Sequence, residues 1–105
     1  MSYRMRRKSG RVDSNHVAIV EALRATGYSV QSLAGVGQGC PDLLVARNGR
    51  AWLLEVKAEG GKVDPMQVDF HARWERAMPT LVVKSVDEAL RAVGAVKDFR
   101  PLPDP

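Results

Sequence analysis

The residues best suited to chemistry are two acids and a lysine on neighbouring apolar segments. Asp42 begins the first segment, and Glu55 and Lys57 end the second. Two carboxylates that approach each other repel unless a cation lies between them, and clustered oxygens with open positions are ligands that Mg²⁺ accepts. The spacing therefore predicts a divalent-cation site, provided that the fold brings both acids together.

The residues that connect the two segments predict that the fold brings both acids together. The two segments are joined by Asn48-Gly49, a pair that tolerates the positive φ angles of a type I′ turn. An antiparallel hairpin that closes there places Asp42 opposite Glu55. Side chains opposite each other on one face have Cβ atoms about 4.5–5.5 Å apart. We therefore expect the two carboxylates to be cross-strand neighbours.

The residue pattern of the second strand also predicts that its charged side chains are buried. Alternation puts Glu55 and Lys57 on one face, and the residues upstream are apolar on both faces, as in a central strand. Unpaired charge there is costly, so the pair needs partners. Asp42 and a cation supply them, and the carbonyl of Val56 is a further candidate metal ligand. The alternative interpretation is a cross-strand salt-bridge cluster at a sheet edge.

This arrangement suits phosphodiester hydrolysis. Mg²⁺ or Mn²⁺ held by Asp42 and Glu55 is expected to polarise a phosphate and lower the pKa of a water. Lys57 is expected to orient that water or to offset negative charge in the transition state.

These residues must be positioned by a single domain, since 105 residues allow only one core. Helix caps, apolar periodicity and turn residues predict the order α-β-β-β-α-β-α. Asp64-Pro65 is expected to open the second helix, and Ser85 and Glu88 to form a capping box before the last one. One apolar stripe is expected to face the sheet, namely Met66, Phe70, Trp74 and Ala77. Trp52 and Trp74 are expected in the core rather than as stacking platforms.

The net charge of +4 is concentrated at one end of the chain. Residues 1–12 form a basic arm with five of the 16 basic residues and none of the 12 acidic ones, which leaves 11 basic residues against 12 acidic ones. The arm is expected either to add salt-sensitive phosphate contacts or to be a solvated tail. We place the domain at residues 13–96 and a tail at residues 97–105.

Two segments carry a family resemblance. Gly39-Cys40-Pro41-Asp42-Leu43-Leu44-Val45, followed by Leu53-Leu54-Glu55-Val56-Lys57, resembles the PD-(D/E)XK nuclease superfamily. The similarity is to the VRR-NUC-like and Holliday-junction-resolvase-like nucleases of phages and bacteria, over about residues 13–93. It implies an α/β restriction-endonuclease-like fold, a small mixed sheet flanked by helices. It also makes Asp42 and Glu55 the metal-binding acids and Lys57 the catalytic lysine.

The resemblance extends to two further positions. Related nucleases often place a glutamine on the helix after the Glu-x-Lys strand, where this chain has Gln67; the alternative role of Gln67 is a capping box with Asp64. The family also tends to have a glutamate in the first turn of the opening helix. Here that position is held by Asn15 or His16, so a third carboxylate is expected to be missing.

The remaining candidates are weaker. The loop from Gly35 to Gly39 lacks the Gly-Lys-Ser/Thr ending of a P-loop. It is either a connector or a place where backbone N–H groups approach nucleic acid. His71 is expected to be a solvated or packing histidine rather than a ligand. Cys40 is the single cysteine, lacks an evident histidine partner and is not expected to act as a nucleophile.

The expected function is Mg²⁺- or Mn²⁺-dependent hydrolysis of DNA, branched or duplex, with structure selectivity left open. The rival hypotheses are a non-catalytic nucleic-acid-binding or assembly module with the same fold, and a plain interaction domain with a salt-bridged sheet. A body this small favours a homodimer. No apolar run approaches the roughly 20 residues of a membrane span, and the single cysteine fits the reducing cytoplasm of a bacterial or phage-infected cell.

Overall fold

The computed structural model describes residues 14–95. The expected basic arm 1–12 and tail 97–105 lie outside the described residues. The described residues form three helices and four strands in the predicted order α-β-β-β-α-β-α. They are α1 (Ser14–Ala25), β1 (Ser29–Ser32), β2 (Leu43–Arg47), β3 (Arg50–Val56), α2 (Pro65–Trp74), β4 (Thr80–Val83) and α3 (Val86–Ala92). Within this part of the chain, no helix has the length and apolar character needed to cross a membrane.

The four strands form one mixed sheet in the order β1-β2-β3-β4. The first three strands pair antiparallel, and β4 pairs parallel to β3. The turn between β2 and β3 has φ angles of 52° at Asn48 and 80° at Gly49, as a type I′ turn requires. The hairpin pairs Leu43 with Leu54, so the predicted register is confirmed.

The main core lies between one face of the sheet and the helices α1 and α3. Leu43, Val45 and Leu54 are fully buried there. Ile19 and Leu23 of α1 contact this face. Because alternate residues of β3 face this core, the residues between them, Leu53 and Glu55, lie on the opposite face. Both are nevertheless buried.

Helix α2 differs from its predicted orientation. It has no buried residue, and Met66 and Trp74 are 58% and 38% exposed. Its half-buried residues are Gln67, Phe70 and His71. The predicted apolar stripe is therefore wrong at Met66, Trp74 and Ala77, which is also exposed. The prediction of a core role is right for Trp52 and wrong for Trp74.

The helix caps are largely as predicted. Asp64 and Gln67 of α2 form a reciprocal capping box, with Pro65 at the first helical position. At α3 the side chain of Ser85 accepts from the backbone N–H of Glu88. The return bond differs from the prediction, because Glu88 accepts from the backbone N–H of Lys84, not of Ser85.

Candidate active site

The ends of β2 and β3 bring the two acids together. Asp42 immediately precedes β2, and its Oδ2 accepts a hydrogen bond from the backbone N–H of Val56 over 2.9 Å. Its own carbonyl accepts from the N–H of Leu33 over 2.7 Å. Asp42 is therefore fixed from both neighbouring strands, and its carboxylate lies at the end of β3, where Glu55 is.

Glu55 is the buried acid of the site, with 3% of its surface exposed. Its Oε2 accepts from the side-chain Nε2 of Gln67 over 2.9 Å and lies 3.8 Å from Nζ of Lys57. Its Oε1 is buried without a hydrogen-bond partner among the described residues. An unsatisfied buried oxygen of this kind costs about 1–3 kcal/mol, and more if charged.

The surroundings of Glu55 change its acidity. Burial, followed by the negative charge of Asp42, raises the pKa of Glu55 from 4.5 to about 8. The positive charge of Lys57 opposes the shift, and a hydrogen bond from the protonated Glu55 to the Asp42 side chain adds to it. Glu55 therefore holds a proton at neutral pH when no cation neutralises the pair. A cation that binds both carboxylates must displace this proton.

Lys57 follows β3 and is held through its backbone. Its N–H donates to the carbonyl of Val83 over 3.0 Å. Its carbonyl accepts from the side-chain Nδ2 of Asn15 over 3.1 Å. The Lys57 side chain is 22% exposed, so its ammonium group lies beside the buried acid and still reaches solvent.

The two candidate positions on α1 separate in the structure. Asn15 contacts the end of β3 through the Lys57 carbonyl, so it supports the strand that carries the acid and the lysine. His16 instead lines a groove between α1 and β1, together with Val20 and Val30. The structure thus brings Asn15, and not His16, to the end of β3.

Gln67 contacts both the N-cap of α2 and the buried acid. Its Oε1 accepts from the backbone N–H of Asp64 over 2.9 Å, which completes the capping box. Its Nε2 donates to Glu55 over 2.9 Å. Because the cap fixes the amide oxygen, the amide nitrogen is directed at the buried acid. The start of α2 therefore orients the Glu55 carboxylate.

One solved structure decides the family. It is described as a VRR_NUC domain and is 34% identical to this chain; the match covers 74% of this chain and 88% of that one, with a TM-score of 0.61. The chain belongs to the VRR_NUC domain family. The match confirms the predicted family and its α/β restriction-endonuclease-like fold. No family profile and no curated protein matches the chain.

One residue that positions the site of this VRR_NUC domain is missed by sequence reasoning. Gly39 has a φ of 82°, and a Cβ built there would overlap the backbone carbonyl of Met66 in the first turn of α2. By contrast, a Cβ at Gly35 or Gly37 would meet nothing within 4 Å. Gly39 therefore lets the loop before Asp42 pack directly on the helix that carries Gln67. The positive φ has a sequence signal, glycine itself, but the helix contact has none.

Cys40 and His71 lie near the site of the VRR_NUC domain without a role in its geometry. Burial raises the pKa of the Cys40 thiol, and the charges of Glu55 and Asp42 raise it further, so the thiol stays protonated. Burial lowers the pKa of His71, whose Nε2 has no partner among residues 14–95. His71 is thus a partly buried histidine, and packing is one of the two settings expected for it.

The donor set of the VRR_NUC domain suits a cation that needs few protein ligands. Across residues 14–95, no three His, Cys, Asp or Glu side chains are grouped so that they could hold a metal ion. Asp42 and Glu55 supply two carboxylates, and the Val56 carbonyl points along the same strand edge as the N–H that binds Asp42. Mg²⁺ retains several waters and often takes only one or two carboxylates. The unpartnered Oε1 of Glu55 fits such an ion.

Proposed function

We propose that this VRR_NUC domain is a Mg²⁺- or Mn²⁺-dependent deoxyribonuclease that cuts DNA internally by phosphodiester hydrolysis. The observation that carries the proposal is the Glu55 carboxylate, which is buried against Asp42 and whose Oε1 receives no hydrogen bond from residues 14–95. A purely structural salt bridge would pair that oxygen, because an orphaned buried acceptor is destabilising. A metal ligand needs it free.

Each residue has a defined task in this proposal. Asp42 and Glu55 hold the cation, with the Val56 carbonyl as a further ligand. When bound, the cation supplies positive charge that polarises the scissile phosphate and makes a nearby water more acidic. Lys57 orients the attacking water or stabilises the negative charge that develops on the phosphate. Gln67 is a positioning residue, because it acts through the Glu55 carboxylate.

Asn15 lies at the first-helix position where the family tends to have an acid. It makes a positioning contact there instead. Its amide holds the Lys57 carbonyl, which anchors the end of β3 against α1. Among residues 14–95 the site has two carboxylates, those of Asp42 and Glu55, which favours a single tightly placed cation over a two-metal arrangement. The same count supports the rival proposal, a nucleic-acid-binding or assembly module that does not cut.

The proposed partner is DNA, either branched or duplex, and the proposed setting is the cytoplasm of a bacterial or phage-infected cell. We also propose a homodimer. Met66 and Val68 on α2 are 58% and 57% exposed, and Trp74 is partly exposed on the same helix. Exposed apolar side chains grouped on one element are a common feature of interfaces between proteins. Light scattering coupled to size-exclusion chromatography measures the oligomeric state directly.

The test is cleavage of labelled single-stranded, duplex, flap and four-way-junction DNA with Mg²⁺ or Mn²⁺. Asp42→Asn and Lys57→Ala are compared with Asp69→Asn and Lys62→Ala, which remove the same charges from exposed positions. We expect cutting by the wild type and by both controls, and none by the two site variants. DNA binding without cutting under either metal would favour the non-catalytic module.

A further inference from the structure

Two arginines face each other at the end of the hairpin remote from the acids. Arg47 and Arg50 are direct cross-strand partners. The guanidinium carbon of Arg47 lies 5.3 Å from the ring centroid of Tyr28, and that of Arg50 lies 5.2 Å from the ring centroid of Trp52. Like charges directly opposite each other are destabilising. The aromatic rings hold both groups in place without neutralising either charge.

The guanidinium donors of this pair are free within the described part of the chain. Neither Arg47 nor Arg50 forms an ion pair there, and neither guanidinium group donates a hydrogen bond to residues 14–95. Other arginines differ: Arg24 donates to the Val30 carbonyl, and Arg73 pairs with a carboxylate. The pair thus combines fixed positions with unused donors.

Both arginines border one cavity of about 190 Å³. Its walls also include Tyr28, Trp52 and the side of the turn at Asn48, and none of the described residues that line it is acidic. Two guanidinium groups beside one cavity suit a phosphate, whose oxygens arginine binds in a bidentate manner. Arg47 and Arg50 are also exposed, so the cavity opens to the surface. An open cavity of this kind suits a phosphate presented by a polymer better than a small free anion.

We propose that the cleft formed by Arg47, Arg50, Tyr28 and Trp52 binds a backbone phosphate of the nucleic acid, separate from the phosphate that is cut. Arg50 and Glu55 are five residues apart on β3, a distance of about 17 Å at roughly 3.3 Å per residue. An odd separation also puts them on opposite faces of the sheet. The arginine cleft therefore holds a different part of the substrate. This inference rests on the proposed function, because it requires a nucleic-acid substrate.

The experiment measures binding of a labelled DNA duplex without divalent cations, over a series of salt concentrations. The variant Arg47→Gln/Arg50→Gln keeps the aliphatic stems over the aromatic rings. The control Arg73→Gln/Arg91→Gln removes two charges from exposed ion pairs elsewhere. We expect the cleft variant to bind roughly tenfold more weakly, and its slope of log K against log salt to shrink by about 0.9 for each phosphate that the variant no longer neutralises. The control is expected to stay close to the wild type.

Further measurements separate the possible outcomes. Single-turnover cleavage at saturating enzyme is expected to be unchanged in the cleft variant, because the cleft contributes binding and not chemistry. Equal affinity and equal salt slope in the cleft variant and the control would overturn the inference. Competition by inorganic phosphate or polyglutamate that matches unlabelled DNA would also overturn it, because the cleft would then take a free anion or an acidic protein.

The same experiment distinguishes this inference from the proposed function. A wild type that cuts DNA while the two double variants bind alike would refute the cleft alone. A wild type that binds through Arg47 and Arg50 but never cuts would refute the nuclease and leave the cleft in place. Thermal unfolding of both variants verifies that each is folded.

Discussion

The side-chain amide of Gln67 joins the cap of α2 to the Glu55 carboxylate, with its nitrogen 2.9 Å from Oε2 and its oxygen on the Asp64 backbone. One residue thus fixes a helix end and aims a hydrogen bond at the buried acid. The orientation of Glu55 is therefore coupled to the stability of the first turn of α2.

Two substitutions separate the capping role of Gln67 from its hydrogen bond to Glu55. Gln67→Ala removes half of the capping box and the bond to Glu55, whereas Asp64→Ala removes the other half and leaves that bond possible. We expect both variants to lose about 1 kcal/mol of unfolding free energy. Only Gln67→Ala should lose roughly tenfold or more in DNA cleavage, since a hydrogen bond to a charged group contributes about 1.5–3 kcal/mol. Denaturation and single-turnover cleavage provide the two measurements, and equal cleavage by the two variants would refute the positioning role.

The raised pKa of Glu55 predicts how metal-free stability depends on pH. The folded state keeps a proton on Glu55 up to about pH 8, whereas the unfolded state releases it near pH 4.5. Folded protein therefore binds more protons than unfolded protein in this window, and its stability falls as pH rises through it. The contribution is fully present below pH 4.5 and is lost by about pH 8.

Glu55→Gln removes this titration while keeping the shape of the side chain. We expect the variant to be more stable than the wild type at pH 8 without metal, and this advantage to shrink towards acidic pH. Glu59→Gln, at an exposed position, is the matched control and should follow the wild type. Chemical denaturation across the window provides the data. Parallel curves for wild type and Glu55→Gln would show that Glu55 is not held protonated.

Mn²⁺ is expected to stabilise the folded protein through Asp42 and Glu55. A ligand that binds only the folded state raises its stability by mass action. The gain should be larger at pH 8 than at pH 6, because bound metal must displace the Glu55 proton. Thermal unfolding with and without MnCl₂ measures this gain, with Asp42→Asn as the site variant and Asp69→Asn as the control. An equal gain in both variants would place the metal elsewhere.

Gly39 and Gly37 provide a matched pair for the contact between the loop and α2. Both have positive φ, 82° and 76°, but only at Gly39 would a Cβ overlap helix backbone. Gly37→Ala should cost about 1 kcal/mol for the left-handed conformation alone. Gly39→Ala should cost more, about 2–3 kcal/mol, and should also reduce cleavage by displacing Gln67. Denaturation compares the two variants, and equal losses would mean that the α2 contact adds no constraint.

The hairpin shows how far the sequence alone predicts this site. Asn48-Gly49 fixes the turn type, and the turn type fixes the register that brings Asp42 to the end of β3. These are local effects, so they are visible in the sequence. The capping box of α2 is local as well, and it was predicted.

The orientation of α2 was not predictable in this way. Its apolar residues suggested that Met66 and Trp74 face the sheet, but both are exposed. The half-buried residues of α2 are Gln67, Phe70 and His71. The helix is held by Gln67 on Glu55 and by backbone contact with Gly39, both of which are tertiary interactions. The hydrogen bond from Asn15 to the Lys57 carbonyl, across 42 residues of chain, is equally invisible to local patterns.

The most direct test of the central claim is single-turnover cleavage of labelled DNA with Mg²⁺ or Mn²⁺ by Glu55→Gln, beside wild type and Glu59→Gln. The substitution keeps a side chain of similar size but removes the charge of a metal ligand. We predict cutting by the wild type and by Glu59→Gln, and a loss of at least roughly a hundredfold in Glu55→Gln, on the scale of a lost catalytic group. Cleavage by Glu55→Gln at the wild-type rate would contradict a metal-dependent active site at Asp42 and Glu55.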